Sequence, residues 1–493
     1  MIRLRRTTLP ACCLSLLLLT ATTFADILKD QVVTYADFNY VNSVSSSFKH
    51  VYFATTEGIT RYNKITRRWE TPLTGGEGLG SEQVVRVLVD EFDTRLYAET
   101  PTGLFEYDSL FDRWSPLTEL PTVDNSSVHV NPPATMFSPP GFHYPGDGRL
   151  IDPEGRYFAI TDVIDDGEGN LWLGTLGYGA AAAAVNSRMI EPLPYGMIQN
   201  HVTTIYRFDG RLWMGGAAID VSRTGVTAFD PLDNSFSYVE PDLFNEFPVV
   251  DVNCLAVNDK ILYLGTTEGL LYFDRALGRV TREFSTHNGL PHYNVYCLEL
   301  VGDSLFVGTE EGLAVATPSG DSADYVLPSR FSLLSVYDLL RVDSLLWVTT
   351  SEGVYRLHLG TGRWQQFVDP NNFLIGDVYA VAAWRQGTVF AARDGVVWAN
   401  GRTGDIELLM QTDRSTSPVV ALAMNDRIVA AASDDGFTLI YYTEKKPRQR
   451  RFTTLDGLPS NYLYALLLDG DYLWIGSDEG LTRFWWNNPS RVD

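Results

Sequence analysis

A hairpin pattern near the end of the chain recurs ten times, and it limits what this sequence can fold into. At 473–484 two apolar runs flank a polar turn that ends in Glu479 and Gly480. Short apolar runs around such a turn predict a β-hairpin with one buried face. The glycine that closes the turn has ten copies: Gly58, Gly103, Gly179, Gly225, Gly269, Gly312, Gly353, Gly395, Gly436 and Gly480. The chain is therefore predicted to be all-β and built from repeats.

The spacing of these glycines gives the size of the repeated unit. Neighbouring copies are 41 to 46 residues apart, except for one interval of 76 residues. Such a period fits four strands of ordinary length with their turns, which is the blade of a β-propeller. We number the repeats 1 to 10 and name the strands of each blade a to d, from the propeller axis outward. The predicted fold is a β-propeller with ten four-stranded blades.

The last repeat contains strands a, b and c, so its fourth strand must come from another part of the chain. Residues 31–35 precede the first strand a as residues 451–455 precede the last, and we predict that they supply this strand. A ring closed in this way leaves no free sheet edge. One ring of ten blades is the main prediction. Two smaller propellers are the alternative, because known propellers have about four to eight blades.

The first 25 residues have the features of a signal peptide, and the propeller is predicted to span 26–493. Arg3, Arg5 and Arg6 give a positive start, 9–19 is apolar, and a small-residue cleavage site ends at Ala25. No later apolar run is long enough to span a bilayer. Export to the periplasm or to the outside of the cell is the expected outcome.

The charge of the chain narrows the class of partner. Its net charge is −23, and removal of 1–25 leaves 35 basic against 61 acidic residues, a net of −26. A strongly negative surface repels nucleic acid and anionic membranes. The partners that remain are a polar small molecule, a glycan or a protein.

Several copies also carry a family resemblance. Asp-Gly-Leu-Pro-Ser-Asn at 456–461, followed by Leu-Trp-Ile-Gly at 473–476 and Glu-Gly-Leu at 479–481, resembles the two-component regulator propeller repeat. Similar segments occur at 171–175, 262–266 and 288–291. The resemblance implies an exported, sensor-type propeller. It specifies the blade and not a ligand, and the sequence has neither the membrane helix nor the kinase part that usually follows such propellers.

One interval holds an insertion at about 119–156, rich in proline, glycine and aromatic residues. A long segment without periodicity inside a compact repeat is often a functional loop, although a plain surface loop is equally consistent with it. Directly after it, five alanines at 180–184 replace the bulky residues of strand c in other copies. We expect the insertion to pack into the volume that these small side chains leave.

Alignment of the inner strands predicts a column of small residues near the propeller axis. Its members are Ser43, Arg86, Asp162, Thr204, Cys254, Cys297, Asp338, Ala380, Ala421 and Ala465. The three charged members need water or a partner. They indicate either a water-filled channel or a polar ligand site at its mouth. Cys254 and Cys297 are expected to be free thiols, because equivalent strands of adjacent blades lie too far apart for a disulfide.

Turns and histidines provide further candidates on the face where the b–c turns and the d–a connections meet. Seven of the ten residues before the anchor glycines are acidic, which indicates either ordinary turn chemistry or an acidic circle. His129, His143, His201, His287 and His292 fall in connections on the same face. Histidines with carboxylates could form a divalent-cation site or an acid–base pair, but none has a known metal-ligand spacing, and solvated side chains are the simpler interpretation.

The sequence thus favours a non-catalytic, exported propeller that binds a polar ligand or a protein partner. The predicted ligand-binding residues are Arg86, Asp162, Thr204, Asp338, His143, His201, His292 and Asn294, with no catalytic residue, metal or cofactor expected. The alternative is a metal-assisted lyase or hydrolase acting on glycans through the loop histidines. The fold alone does not choose between the two.

Overall fold

A computed structural model describes residues 32–74, 78–109, 111, 113–138, 142–153, 155–217, 223–240, 251–317, 323–325, 333–412, 418–442 and 447–489. The predicted signal peptide at 1–25 lies outside these ranges. Within them the chain forms ten antiparallel sheets, nine of four strands and one of six. The predicted all-β fold of four-stranded blades is confirmed. Among the described residues, no helix has the length and apolar character that crossing a bilayer requires.

Blades 1 to 3 come first in the chain, and two short extra strands in the insertion, Val128–His129 and Arg149–Ile151, pair with strand a of blade 3. The strands of blade 1 are Val41–Ser46, His50–Thr55, Gly58–Asn63 and Arg68–Trp69. Those of blade 2 are Arg86–Val89, Leu96–Thr100, Gly103–Asp108 and Arg113–Leu117. Those of blade 3 are Tyr157–Asp165, Asn170–Thr175, Ala180–Ala184 and Ile190–Leu193.

Blades 4 to 10 follow the same pattern. Blades 4 and 5 contain His201–Phe208, Arg211–Ala217, Val226–Asp230 and Ser235–Val239, then Val252–Val257, Ile261–Thr266, Gly269–Asp274 and Arg279–Phe284. Blades 6 and 7 contain Val295–Val301, Ser304–Thr309, Gly312–Ala316 and Ala323–Tyr325, then Val336–Val342, Leu345–Thr350, Gly353–His358 and Arg363–Gln366. Blades 8 and 9 contain Val378–Trp384, Gly387–Ala392, Gly395–Asn400 and Ile406–Gln411, then Ala421–Met424, Ile428–Ser433, Gly436–Tyr441 and Arg448–Phe452. Blade 10 contains Leu463–Asp469, Tyr472–Ser477 and Gly480–Trp485, and single 3-10 turns occur at Thr286–Asn288 and Thr454–Asp456.

A hydroxyl and a glycine together close the repeated b–c turn. In blade 10 the Ser477 hydroxyl donates to the carbonyl oxygen of Gly480 and accepts from the backbone N–H of Glu479, both at 3.2 Å. Gly480 has a φ of 107°, and a Cβ there would lie 2.4 Å from the carbonyl oxygen of Tyr35. Only glycine fits this position. The acidic residue contributes its N–H to the turn, so the turn does not require its charge.

The N-terminal strand completes blade 10, as predicted. Val32–Tyr35 pairs antiparallel with strand c of that blade, with Val32 opposite Phe484 and Tyr35 opposite Leu481. The ring of Tyr35 lies 6.5 Å from the ring of Trp474 in blade 10 and 4.9 Å from that of Phe229 in blade 4. The first described strand therefore closes one sheet and also packs against the neighbouring blade.

The ten blades are arranged as a ring of seven and a row of three. The inner strands of blades 4 to 10 pack against one another in order, and that of blade 10 packs against that of blade 4. One core joins the ends of this ring and contains Val202 and Met214 of blade 4 with Trp474 of blade 10. The prediction of a single ten-bladed ring is corrected accordingly, and the arrangement is closer to the alternative of two units.

Blades 1 to 3 make up the second unit, with blade 1 in the middle. The inner strand of blade 1 contacts those of blades 2 and 3. Between blades 1 and 3, the Asp162 carboxylate accepts a hydrogen bond from the Val44 N–H at 2.8 Å, and the Thr161 hydroxyl donates to the Val41 carbonyl at 2.7 Å. The order in space is therefore 2, 1, 3. Repeat length determines the number of strands in a blade but not which blades become neighbours.

The insertion packs against the alanine strand, as we expected. Met136, Tyr144 and Leu150 share one core with Ala181 and Ala183 of blade 3. The opposite face of the same sheet packs against blade 1. The insertion therefore lies where a further blade would otherwise cover blade 3, and the alanines leave the space that it fills.

Leu150→Ala should lower the free energy of unfolding by about 2 to 4 kcal/mol, because Leu150 is 1% exposed and the cavity left behind cannot be refilled by alanines. Denaturant unfolding followed by tryptophan fluorescence measures the change. Leu232→Ala is the matched control, since Leu232 is 90% exposed. A loss of under about 1 kcal/mol for Leu150→Ala would show that the insertion does not support blade 3.

The two units contact each other through the outer strand of blade 1 and through the insertion. The rings of Trp69 and Tyr195 stack with their centroids 4.5 Å apart, and the Tyr195 hydroxyl donates to the Glu70 carbonyl at 2.8 Å. Arg156 of the insertion forms an ion pair with Glu240, which follows strand d of blade 4, at 2.7 Å. These contacts hold the row of three blades against the ring.

Candidate functional site

The b–c turns and the d–a connections of the ring lie on one face, which we call the d–a face. In blade 6 the backbone N–H of Glu310, in the b–c turn, donates to the carbonyl of Asn294, in the connection from blade 5, at 3.1 Å. The equivalent bond in blade 7 joins Ser351 to Ser335, also at 3.1 Å. The predicted meeting of turns and connections is thus found in the structure.

A β-bulge near the start of strand a gives one side chain per blade a different direction from its neighbours. The register shifts between Val295 and Cys297 in blade 6, and the same shift occurs in seven other blades. Tyr296 is therefore the bulged residue, and the extra residue of a bulge is re-aimed out of the regular alternation. The bulged residues of blades 7 and 8 are Tyr337 and Tyr379.

These three tyrosines form a continuous run along the d–a face, which we call the tyrosine arc. The ring centroids of Tyr296 and Tyr337 are 6.0 Å apart with planes at 23°, and those of Tyr337 and Tyr379 are 5.2 Å apart with planes at 38°. All three side chains are half-buried. An aromatic surface on three consecutive blades is thus accessible from solvent.

Two carboxylates flank the arc. The Tyr337 hydroxyl donates to Asp377 Oδ1 at 2.9 Å, and burial, followed by this bond, raises the pKa of Tyr337. At the other end, Glu310 Oε2 accepts from the Asn294 side-chain amide at 3.1 Å and lies 3.7 Å from His292 Nδ1. Two predicted site residues, His292 and Asn294, therefore lie beside the arc.

Asp338 directly follows Tyr337 in the inner strand of blade 7 and is half-buried. Its Oδ2 accepts from the Val381 N–H and its Oδ1 from the Leu339 N–H, both at 2.8 Å. Burial raises the pKa of Asp338 to about 7. Asp338 therefore links blades 7 and 8 and can exchange a proton near neutral pH.

Cys254 and Cys297, in the inner strands of blades 5 and 6, are buried free thiols, as expected.

The remaining members of the predicted site are distributed over both units. Thr204 lies in the inner strand of blade 4 and is half-buried. The ring of His201, in the same strand, lies against that of Tyr464 with the centroids 4.6 Å apart and the planes at 40°, and burial lowers the pKa of His201. His143 belongs to the insertion, where its backbone pairs with Ile151.

Arg86 and Asp162 lie in the row of three blades, whereas Asp338 lies in the ring. Arg86 pairs with Glu99 at 3.0 Å and half of its side chain is exposed. Asp162 binds His129 Nδ1 at 2.8 Å, and this bond raises the pKa of His129. The three charges predicted to line one channel thus belong to two separate sets of inner strands.

The tyrosine arc is a candidate binding feature that the sequence interpretation missed. The signal was present, because tyrosine precedes Cys297, Asp338, Ala380 and Ala465 in the aligned inner strands. Simple alternation assigns these tyrosines to the face opposite the small residues. Only the bulge, which the sequence does not mark, brings them to the mouth of the ring.

Acidic side chains also meet at the contact between the two units. Among the described residues, Glu57, Glu82 and Glu479 are the one set of three histidine, cysteine or acidic side chains whose ligand atoms all lie within 4.8 Å of one another. This set includes none of the loop histidines. In the part of the chain that the structure describes, no set of three such ligand atoms at this spacing contains a loop histidine.

No protein-family model and no curated protein matches this chain. Among solved structures it is similar to PorZ, a surface component of the type-IX secretion system of Porphyromonas gingivalis, with a TM-score of 0.50, 15% identity, and coverage of 92% of this chain and 69% of PorZ. It is also similar to the extracellular domain of BT4673 from B. thetaiotaomicron, named as a hybrid two-component system. That match has a TM-score of 0.45, 12% identity, and coverage of 90% and 70%. At these identities the similarity shows the fold alone.

Proposed function

We propose that this protein is a non-catalytic, exported β-propeller that binds a polar ligand or a protein partner at the d–a face of its seven-bladed ring. The tyrosine arc is the observation that carries the proposal. Aromatic rings that remain accessible beside hydrogen-bonding carboxylates and amides are typical of binding surfaces. The repeat resemblance noted in the sequence supports an exported, sensor-like role, and PorZ, which shares the fold, is a bacterial surface component.

The arc differs from the other aromatic residues of the blades. Tyr263 and Trp474, in strand b, are buried between blades and are explained by folding. Tyr296, Tyr337 and Tyr379 lie at the start of the inner strands, where the register shift exposes them. Exposed aromatic surface that the fold does not require is a better indication of function than buried aromatic surface.

A thermal-shift screen tests the location of the site. The panel contains neutral oligosaccharides, anionic and cationic peptides, and small amines. A ligand at about 100 times its Kd should raise the Tm of the protein by about 2 to 5 °C. The shift should disappear in Tyr337→Ala and persist in Tyr157→Ala, a matched control because Tyr157 is 64% exposed in the other unit. Ligands that stabilise both variants equally would place the site elsewhere.

A further inference from the structure

The d–a face of the ring is strongly acidic. Among the described residues, its b–c turns and d–a connections include Asp251, Glu268, Glu310, Glu311, Glu352, Asp377, Asp394, Asp434, Asp435, Asp478 and Glu479. The described basic side chains in the same turns and connections, with the first residue of blade 4, are Arg223, Arg393, His201, His287 and His292. Arg223 is bound to Glu240 at 2.6 Å, and Arg451 of strand d in blade 9 forms an ion pair with Asp435. This imbalance favours a positively charged partner.

The tyrosine arc is a second feature that favours a positively charged partner. The faces of aromatic rings attract ammonium and guanidinium groups, with a gain of about 0.5 to 2 kcal/mol for each contact. Asp377 and Glu310 stand at different points along the arc, where they can pair with such groups. Two basic side chains lie close to these groups: His292 is 3.7 Å from Glu310, and the charge of Arg393 lowers the pKa of Tyr379 against the larger effects of burial and Asp377.

The dimensions of the arc suit a chain better than a single small amine. Its two centroid separations of 6.0 and 5.2 Å give a span of at most about 11 Å. An extended peptide covers this length in about three residues. Side chains one or two residues apart in such a peptide could therefore reach different rings and carboxylates at the same time.

We propose that the tyrosine arc, with Asp377 and Glu310, binds a lysine- or arginine-bearing segment of a partner protein. This inference rests on the proposed function and adds the chemistry of the partner. The cationic side chains lie over the tyrosine faces and pair with the two carboxylates. The surrounding acidic turns speed the association and make it sensitive to salt.

Fluorescence anisotropy with the full chain tests the inference. The probe is a labelled peptide of alternating lysine and glycine, about twelve residues long and so several times the span of the arc. The matched probe has glutamate in place of lysine. At about 50 mM salt we expect the lysine peptide to bind, the glutamate peptide not to bind, and about 500 mM salt to weaken binding at least tenfold.

The variants separate the arc from the general charge of the protein. The double variant Tyr337→Ala with Asp377→Asn should weaken binding at least tenfold. Glu310→Gln, which removes a charge and leaves every ring in place, should weaken it about threefold. Asp259→Asn makes the same charge change in an exposed a–b turn on the opposite face and should leave the affinity within twofold.

Three results would overturn the inference: equal binding of the two peptides, equal affinity of the arc variants and Asp259→Asn, or displacement of the lysine peptide by spermidine at an equal or lower concentration of positive charge. The last result would identify a free amine as the ligand. The thermal-shift screen tests the proposed function separately from this inference. A neutral or anionic ligand whose stabilising effect disappears in Tyr337→Ala would support binding at the d–a face while excluding a cationic partner segment.

Discussion

Tyr35→Ala should lower the free energy of unfolding by about 3 to 5 kcal/mol, the largest stability effect that we expect from a single substitution in this chain. Tyr35 is 2% exposed, and its ring contacts Tyr195, Phe229, Phe236 and Trp474. Replacing it removes the side chain that joins the N-terminal strand to both blade 10 and blade 4. Denaturant unfolding monitored by far-UV circular dichroism measures the loss.

Tyr157→Ala controls for the removal of a tyrosine as such, because Tyr157 is 64% exposed. It should change the free energy of unfolding by less than about 0.5 kcal/mol. If Tyr35→Ala were no more destabilising than Tyr157→Ala, the N-terminal strand would not hold the ring closed.

Thr34 offers a finer comparison on the same strand. Its hydroxyl lies 3.2 Å from that of Thr482, and Thr34→Val should lower the free energy of unfolding by about 1 kcal/mol.

The blade itself could be predicted from the sequence because every copy repeats the same local chemistry. Gly480 and its equivalents need positive φ, and apolar residues alternate along each strand. The pairing of Val32–Tyr35 with blade 10 was also predictable, since a sheet with an unpaired edge needs a strand. These features depend on residues close in sequence or on a simple count of strands.

The grouping into seven and three blades could not be predicted in the same way. Contacts between blades use similar apolar residues throughout, so the repeat does not identify neighbours. The one local sign was the insertion followed by Ala180–Ala184, a strand whose small side chains fit the insertion and not another blade. A break in the repeat thus coincides with the end of the row of three.

The structure brings only some of the predicted site residues together. Asn294 and His292 lie on the d–a face beside the tyrosine arc. Arg86 was included because a charge near the axis of a ring is unusual. It is accommodated instead by an exposed ion pair with Glu99 in blade 2, which belongs to the other unit. The prediction that Arg86 and Asp338 line one channel followed from the assumed single axis, whereas their inner strands belong to separate units.

Glu57→Gln should stabilise the protein at alkaline pH, because it removes a half-buried charge from the contact between the two units. Burial first, and then the charges of Glu82, Glu479 and Asp37, raise the pKa of Glu57 from 4.5 to about 8. A carboxyl with a raised pKa contributes stability that is complete below about pH 4.5 and is lost as the pH rises through about 8. The wild-type Tm should therefore fall over this range, in part through Glu57.

In the glutamine variant, the part of this fall in Tm that comes from Glu57 should be absent. Relative to the wild type it should gain about 1 to 3 kcal/mol at pH 9 and almost nothing at pH 5, with the gain below the full value of the pKa shift because part of the side chain remains hydrated. Calorimetry at both pH values measures the difference, and the exposed Glu119→Gln provides the control. A gain of the same size at pH 5 and pH 9 would mean that Glu57 is ionised at both. In that case the stability of the contact between the row and the ring does not depend on pH through the three glutamates.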